Sequence, residues 1–303
     1  MTTHHQSSEA GAPARAKPVV SFAEKPSIRM LRRIIPIAAR IAPGLVTQRC
    51  LRLFLTPGRK KRPAWEAVHL ASSRTEEVRI GERQVKVYRW GDSPRKILLC
   101  HSWGGRGTQL GDFIPPLVER GFEVVAFDAP GHGDSDGEQT DMVEYAKVVA
   151  ELARGLGPLR AILGHSFGAG NAVYAMHEHG VVTDRVVLVG CFSDGEWVIN
   201  RFAELLNIPA TTLARMKSAH ERRHGGRISW AKNFKIAEMA AKGSAPILIV
   251  HDKDDFEIPY THARALDEAG GGRHRLLSTN KLGHRRIVRD ASVIRGVSDF
   301  IAA

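Results

Sequence analysis

The stretch Leu163-Gly164-His165-Ser166-Phe167-Gly168-Ala169-Gly170 most restricts how this chain folds, because an apolar run breaks there into a glycine-spaced turn centred on one serine. Ala161, Ile162 and Leu163 predict an arriving strand, and Ala169, Ala172, Val173 and Ala175 a departing helix, with Ser166 at the hinge. So tight a junction holds the serine in a strained backbone conformation, and small neighbours let strand and helix approach without a Cβ clash. The hydroxyl then stands clear of the sheet, and the Phe167 N–H points toward any oxygen that develops charge above it. Alone, Gly-x-Ser-x-Gly is short enough to be only a turn, so its surroundings must decide.

Those surroundings alternate between strand and helix. An antiparallel hairpin is predicted from 78–80 and 85–88 around Gly81-Glu82, followed by strands at 96–101, 123–128, 159–166, 185–190, 245–252 and 274–280. Helices are predicted at 108–120, 141–155 and 169–179. Interior runs such as Ile97-Leu98-Leu99-Cys100 are apolar throughout, as expected where helices cover both faces of a parallel sheet. In such sheets ligands gather beyond the carboxyl ends of the strands. His101, Ser102, Asp128, Ser166, the run Asp252 to Asp255 and His284 all fall on that edge.

The segment 192–243 interrupts the alternation with helical texture at 197–206, 211–220 and 230–241. An insertion of that kind would cap the carboxyl edge, and Trp197, Phe202, Leu206 and Trp230 are candidates for an apolar pocket lining, or equally for gluing the cap to the body. The expected organisation is a basic extension at 1–62, a core at 63–191 and 244–303, and a cap at 192–243.

Charge is distributed unevenly. The formal net charge is +12, but residues 1–62 hold 13 Lys and Arg against two acidic residues, leaving +1 over the other 241 positions. A near-neutral body gives no electrostatic reason to expect nucleic acid. Residues 1–27 have the composition of a disordered tail. Residues 28–54 mix apolar and arginine positions, with Pro36 and Pro43 expected to break them into short helices. These pieces are expected to pack over the domain and shade a site mouth or sheet edge; peripheral contact with an anionic membrane and a protein partner are the other readings. Residues 57–62 read as a charged linker. Cys50, Cys100 and Cys191 suit buried thiols in a reducing compartment, and no secretory leader or membrane span is indicated, so a cytoplasmic place is expected. The sequence favours neither monomer nor dimer.

A serine needs a base to take its proton. His284, in a loop after the last strand, is the candidate, and a carboxylate must hold its other nitrogen. Asp252 lies near its strand end and Asp254 could stabilise the turn, whereas Asp255 lies far enough into the loop to reach across. Asp255 is therefore preferred over Asp254. The second backbone donor for an oxyanion is expected from the loop 101–106, at the Trp103 N–H. His132 and His165 are expected to be structural or supporting residues. His4-His5, His177-x-His179 and His220-x-x-x-His224 lack an acidic or cysteine partner in the sequence, so no metal and no cofactor is assigned.

At this point the chain resembles the α/β-hydrolase superfamily, and within it the bacterial serine esterases and lipase-like hydrolases. The resemblance rests on His101-Ser102-Trp103-Gly104-Gly105, Asp128-Ala129-Pro130-Gly131-His132-Gly133-Asp134-Ser135, Gly164 to Gly168, the spacing of His251, Asp255 and Pro259, and Gly283-His284. The order Ser166, Asp255, His284 is also that of the superfamily. The resemblance implies a mostly parallel sheet of about eight strands with helices on both faces and a helical cap after the sixth strand. It also implies a triad of Ser166, Asp255 and His284, and cleavage of an ester-like acyl bond without a cofactor. Thioesterase, amidase or peptidase and carbon–carbon hydrolase activities share this machinery, and an inactive binding member of the fold is the alternative of another class. Two positions depart from the pattern. Ser102 stands where glycine is usual and is a candidate to crowd or assist the oxyanion site, and Asp252 also replaces a common glycine.

Overall fold

Apolar runs too long to face water on either side end up at the middle of one sheet. In the computed structural model, which describes residues 26–303, the strands are β1 (Arg74–Ile80), β2 (Arg83–Trp90), β3 (Lys96–Cys100), β4 (Glu123–Phe127), β5 (Leu159–His165), β6 (Thr183–Val189), β7 (Ile247–Asp252) and β8 (His274–Thr279). Their order across the sheet is β1-β2-β4-β3-β5-β6-β7-β8. The β1–β2 hairpin is antiparallel and joins antiparallel to β4; every other pairing is parallel. β4 is buried along its whole length, whereas edge strand β1 is exposed over most of its residues.

The helices are α1 (Pro26–Ile41), α2 (Pro43–Leu55), α3 (Ala64–Ala71), α4 (Ile114–Glu119), α5 (Met142–Leu156), α6 (Phe167–His179), α7 (Gly195–Leu206), α8 (Ala210–Arg223), α9 (Ile236–Lys242), α10 (Thr261–Ala269), α11 (Gly283–Arg286) and α12 (Ala291–Ala302). Helices α7, α8 and α9 form the insertion after the sixth strand. Two apolar layers enclose the sheet, one built with α5 and α6 and the other with α4 and α12. The helix expected at 108–120 is a 3-10 turn over Gly107–Phe113 followed by the short α4.

The N-terminal segment departs from expectation at Pro36, which lies inside α1 rather than ending it. Proline lacks the N–H that would bond the carbonyl of Arg32; Asn207 Nδ2 donates to that carbonyl instead, at 3.1 Å. Pro43 does open a new helix, at the position where its missing donor costs least. Ile28 and Ile35 pack with Ala203, Leu206 and Met216, so α1 and α2 rest on the cap. The segment 57–62 is tied down: Arg59 Nη2 donates to the Ser135 and Gly137 carbonyls, and Arg62 pairs with Asp134 at 2.9 Å. The expected tail at 1–27 lies outside the described residues except for Pro26 and Ser27. No described helix is long and apolar enough to cross a membrane.

Candidate active site

The turn after β5 has the conformation its sequence demanded. Ser166 sits at φ 56° and ψ −116°, with its N–H bonded to Val189 O at 2.8 Å. A Cβ on Gly164 would lie 2.5 Å from Ala169 Cα, and one on Gly168 would lie 2.2 Å from Cys100 O. Both are far inside van der Waals contact, so glycine is what allows α6 to start against β3 and β5.

His284 opens from α11, after β8, and is buried. Its Nδ1 meets Asp255 Oδ2 at 2.7 Å, while Asp255 Oδ1 accepts the N–H groups of Glu257 and Ile258, each at 2.9 Å. The loop carrying His284 is pinned by the two other acids of the β7 loop. Asp252 Oδ2 accepts from Thr279 Oγ1 at 2.7 Å and from Leu282 N–H at 3.0 Å, and Asp254 Oδ2 accepts from Lys281 N–H at 2.8 Å. Asp252, a departure from the usual glycine, thus acts on His284 through the loop. Burial would raise its carboxyl pKa, but bonds from Thr279 and the Gly283, Leu282 and Asp254 backbone outweigh that, and the group lies below its ordinary value. His165 Nε2 donates to the His284 carbonyl at 2.9 Å, and burial keeps this imidazole neutral, well below its ordinary pKa.

Asp128 organises the opposite wall. Fully buried, it accepts from Gly107 N–H at 2.6 Å, Asp134 N–H at 2.7 Å and Tyr88 Oη at 2.8 Å, which clamps the loops after β3 and β4 together. His101 accepts from Ala129 N–H through Nε2 at 3.0 Å and donates through Nδ1 to Ser102 O; burial lowers its pKa to about 4. His132 packs against His101 and Trp103, and burial pushes it down as well. These histidines are neutral parts of the wall. The Trp103 ring packs edge-on against Phe167 with centroids 4.9 Å apart.

Ser166, Phe167, Trp103 and His284 line one cavity of about 320 Å³ at the carboxyl edge, beneath the cap. Among the described residues no hydrogen bond joins the Ser166 hydroxyl to His284; such contacts commonly tighten only around substrate. Trp197, Phe202 and Trp230 are among the residues that line the cavity. Leu206 does not: one turn beyond Phe202 on the same side of α7, it is covered by the N-terminal helices and packs with Ile28 and Ile35. Ser102 is not in the lining either, because Gln109 claims it at both ends, Ser102 N–H donating to Oε1 and Nε2 donating to Ser102 Oγ, each at 2.8 Å. No local pattern in the sequence marks this Gln109 clamp. Also unforeseen as lining are Leu53, Phe54 and Leu55 of α2, and Phe192 and Phe234. A second cavity of about 270 Å³, lined from α6, β6 and α9, contains none of the candidate residues.

The fold also supplies a partner that the sequence withheld. Asp141, the N-cap of α5, meets His220 Nε2 at 3.1 Å and His224 Nε2 at 2.7 Å through its Oδ2. The reason given for setting this histidine pair aside is therefore corrected: its acidic partner lies 79 and 83 residues away in the chain.

Chemically, an imidazole with one nitrogen bound to a buried carboxylate and a serine lifted on a strained turn over the same cavity can together transfer an acyl group. A model of the alpha/beta hydrolase family matches residues 97–292. Protein ABHD12B of Homo sapiens is 25% identical over 204 residues, 62% of this chain and 55% of its own. Lysophosphatidylserine lipase ABHD12 of Danio rerio is 27% identical over 215 residues, 67% of this chain and 53% of its own. The chain thus spans about half the length of these relatives. An esterase from Exiguobacterium antarcticum superposes with a TM-score of 0.59 at 16% identity, over 76% of this chain and 100% of its own, a likeness of fold. With an eight-stranded sheet in this order, a helical insertion after the sixth strand and the family match across most of both halves, the chain belongs to the alpha/beta hydrolase family.

Proposed function

We propose that the chain is a serine hydrolase of carboxylic esters that works through an acyl-enzyme on Ser166. The observation that carries this reading is the 2.7 Å contact of His284 Nδ1 with Asp255 in the wall of the cavity that Ser166 also lines. It commits Nδ1 as a donor and leaves Nε2 as the basic nitrogen. His284 takes the Ser166 proton as Oγ attacks the carbonyl carbon, and the carbonyl electron pair moves onto oxygen. The Phe167 and Trp103 amides hold that oxyanion, each contributing about 3 kcal/mol. Collapse breaks the ester C–O bond, and His284 passes the proton to the departing alcohol. Water then attacks the acyl carbon, again losing its proton to His284, and the acid leaves as Ser166 regains a proton.

An apolar cavity walled by Trp197, Phe202, Trp230 and Phe234 suits an acyl chain. Arg285 is exposed and paired with Glu257, and Arg106 is buried beside Glu66, so neither serves as an anionic anchor in that cavity. A fluorophosphonate probe should label the folded chain and fail to label Ser166→Ala. A folded chain that takes no label refutes the enzymatic reading in favour of a binding protein. Ester, thioester and amide panels of graded acyl length then separate the acyl-transfer activities.

A second reading concerns where the substrate lies. Six of the nine large apolar side chains exposed among the described residues are on α1 and α2. Met30, Ile34, Ile37 and Ile41 form a stripe along one helix face, joined by Leu45 and Leu53, with Arg29, Arg33, Arg40 and Arg49 exposed around them and no acidic residue in either helix. Apolar insertion with surrounding arginines suits an anionic lipid surface, and Leu53 is also part of the cavity wall. We propose peripheral docking there, which would deliver amphiphilic esters to the cavity. The lipase named among the relatives supports this. Co-sedimentation with phosphatidylglycerol vesicles, lost in Ile34→Glu/Ile37→Glu, is expected; equal recovery of both proteins with those vesicles would refute it.

A further inference from the structure

We propose that Asp141, His220 and His224 form a binding site for one divalent transition-metal ion, of the zinc class, that joins the cap to the core. Nothing in the hydrolytic reading uses these residues as a set, and the inference stands independently of it.

The geometry of the three donors carries the argument. Asp141 caps α5 through Oδ1, which accepts the Glu144 N–H at 2.9 Å, and so Oδ2 is directed at the insertion. His220 and His224 are four residues apart on α8 and therefore share a helix face. Both present Nε2 to that single oxygen, at 3.1 and 2.7 Å. All three ligand atoms lie within 4.8 Å of one another. Donors on tetrahedral zinc, each about 2.0–2.1 Å from the metal, stand about 3.3 Å apart. The two carboxylate contacts must therefore open by a few tenths of an ångström, and the two imidazole nitrogens, which lie within 4.8 Å of each other, must settle at the same spacing.

Burial and chemistry point the same way. Asp141 and His220 are buried and His224 is partly exposed, which leaves a route of entry from solvent. A buried carboxylate oxygen faced by two imidazole nitrogens is a place where a bound cation would compensate charge in the interior. Two imidazoles and one carboxylate are a donor set for zinc, cobalt or nickel rather than for magnesium or calcium. Asp141 and His220 also line the cavity that holds Ser166, which puts a bound ion in its wall. The ion would bridge the start of α5 to α8 and hold the cap in register over the acyl pocket.

The test uses the full chain, stripped with a chelator and dialysed. Isothermal titration with zinc should give one equivalent bound at micromolar Kd or tighter, and 100 Kd of free zinc should raise Tm by several degrees. Cobalt(II) should give the visible absorption of a four-coordinate site. His224→Gln should weaken zinc binding at least 100-fold while retaining the wild-type far-UV circular dichroism, and Asp141→Asn should behave likewise. Two results overturn the proposal. One is no stoichiometric binding and no shift in Tm, which would make the cluster a hydrogen-bonded latch. The other is binding that survives His224→Gln, which would assign the metal to other histidines.

Discussion

Changing Asp255 to asparagine replaces one oxygen with NH2 and should nonetheless stop turnover, for a reason visible in the hydrogen bonds around it. Oδ1 accepts two backbone N–H groups, from Glu257 and Ile258, and Oδ2 faces His284 Nδ1 at 2.7 Å. A carboxamide must keep its oxygen on the two loop donors, because an NH2 placed there would leave both amides unpaired, at about 1–3 kcal/mol for the buried Ile258 N–H alone. The NH2 is then forced toward His284, whose Nδ1 must become an acceptor. The ring proton moves to Nε2, and that nitrogen can no longer take a proton from Ser166. Wrong-tautomer substitutions of this kind lower kcat by about 10⁴-fold, equivalent to about 5 kcal/mol. Steady-state hydrolysis of p-nitrophenyl butyrate should show that loss in kcat with KM within a few-fold, and fluorophosphonate labelling should slow in parallel. Since both loop bonds survive, Tm should move little. Activity within tenfold of the parent, in a folded protein, would refute the role of Asp255 as the group that orients His284. In that case Asp254, whose carboxylate holds the Lys281 amide, is the residue to substitute next.

Gly168→Ala should destabilise the fold by about 3 kcal/mol or more, read as a lower urea midpoint, because the new methyl meets the backbone carbonyls of Cys100 and His101 at 2.2 and 2.5 Å. Phe202→Ala widens the cavity beside Phe54 and Trp230. It should lower kcat/KM for short-chain esters by about tenfold while sparing longer ones, and a uniform loss across a p-nitrophenyl ester series would count against an acyl chain lying there. Stability should fall as pH drops from 7.5 to 5. Burial lowers the pKa of His101 and His262 to about 4 in the fold, against about 6.5 in the unfolded chain, so the unfolded state binds more protons over this range. Each contributes on the order of 2 kcal/mol of loss by pH 5, which urea unfolding at the two pH values measures; an unchanged midpoint would mean that these histidines are protonated in the fold.

Much of the site was legible because its chemistry is written locally. A strained turn declares itself through glycines on both sides of Ser166, and parallel strands declare themselves through apolar runs. In such a sheet each strand end delivers its polar residue to the same edge. Asp255 and His284 followed from their distance beyond those ends. Side-chain direction was not legible. Leu206 lies one turn beyond Phe202 on the same face of α7, and which of the two meets the cavity and which is covered depends on where α1 docks. Ser102 turned away because Gln109, seven residues on, offers a donor and an acceptor together. Pro36 stayed within its helix because Asn207, far along the chain, takes up the carbonyl it strands.

By itself, then, the sequence determined the order of strands and helices, the hinge at Ser166 and the identity of the groups brought to one edge, since all of these follow from backbone sterics and periodicity within a few residues. Only the tertiary structure decided that α2 walls the cavity, that Asp252 and Asp254 brace the loop of His284, and that Asp141 meets His220 and His224. Those contacts join segments tens of residues apart, and no local pattern records them; they exist because burying both faces of the sheet and the cap leaves the chain a single way to close.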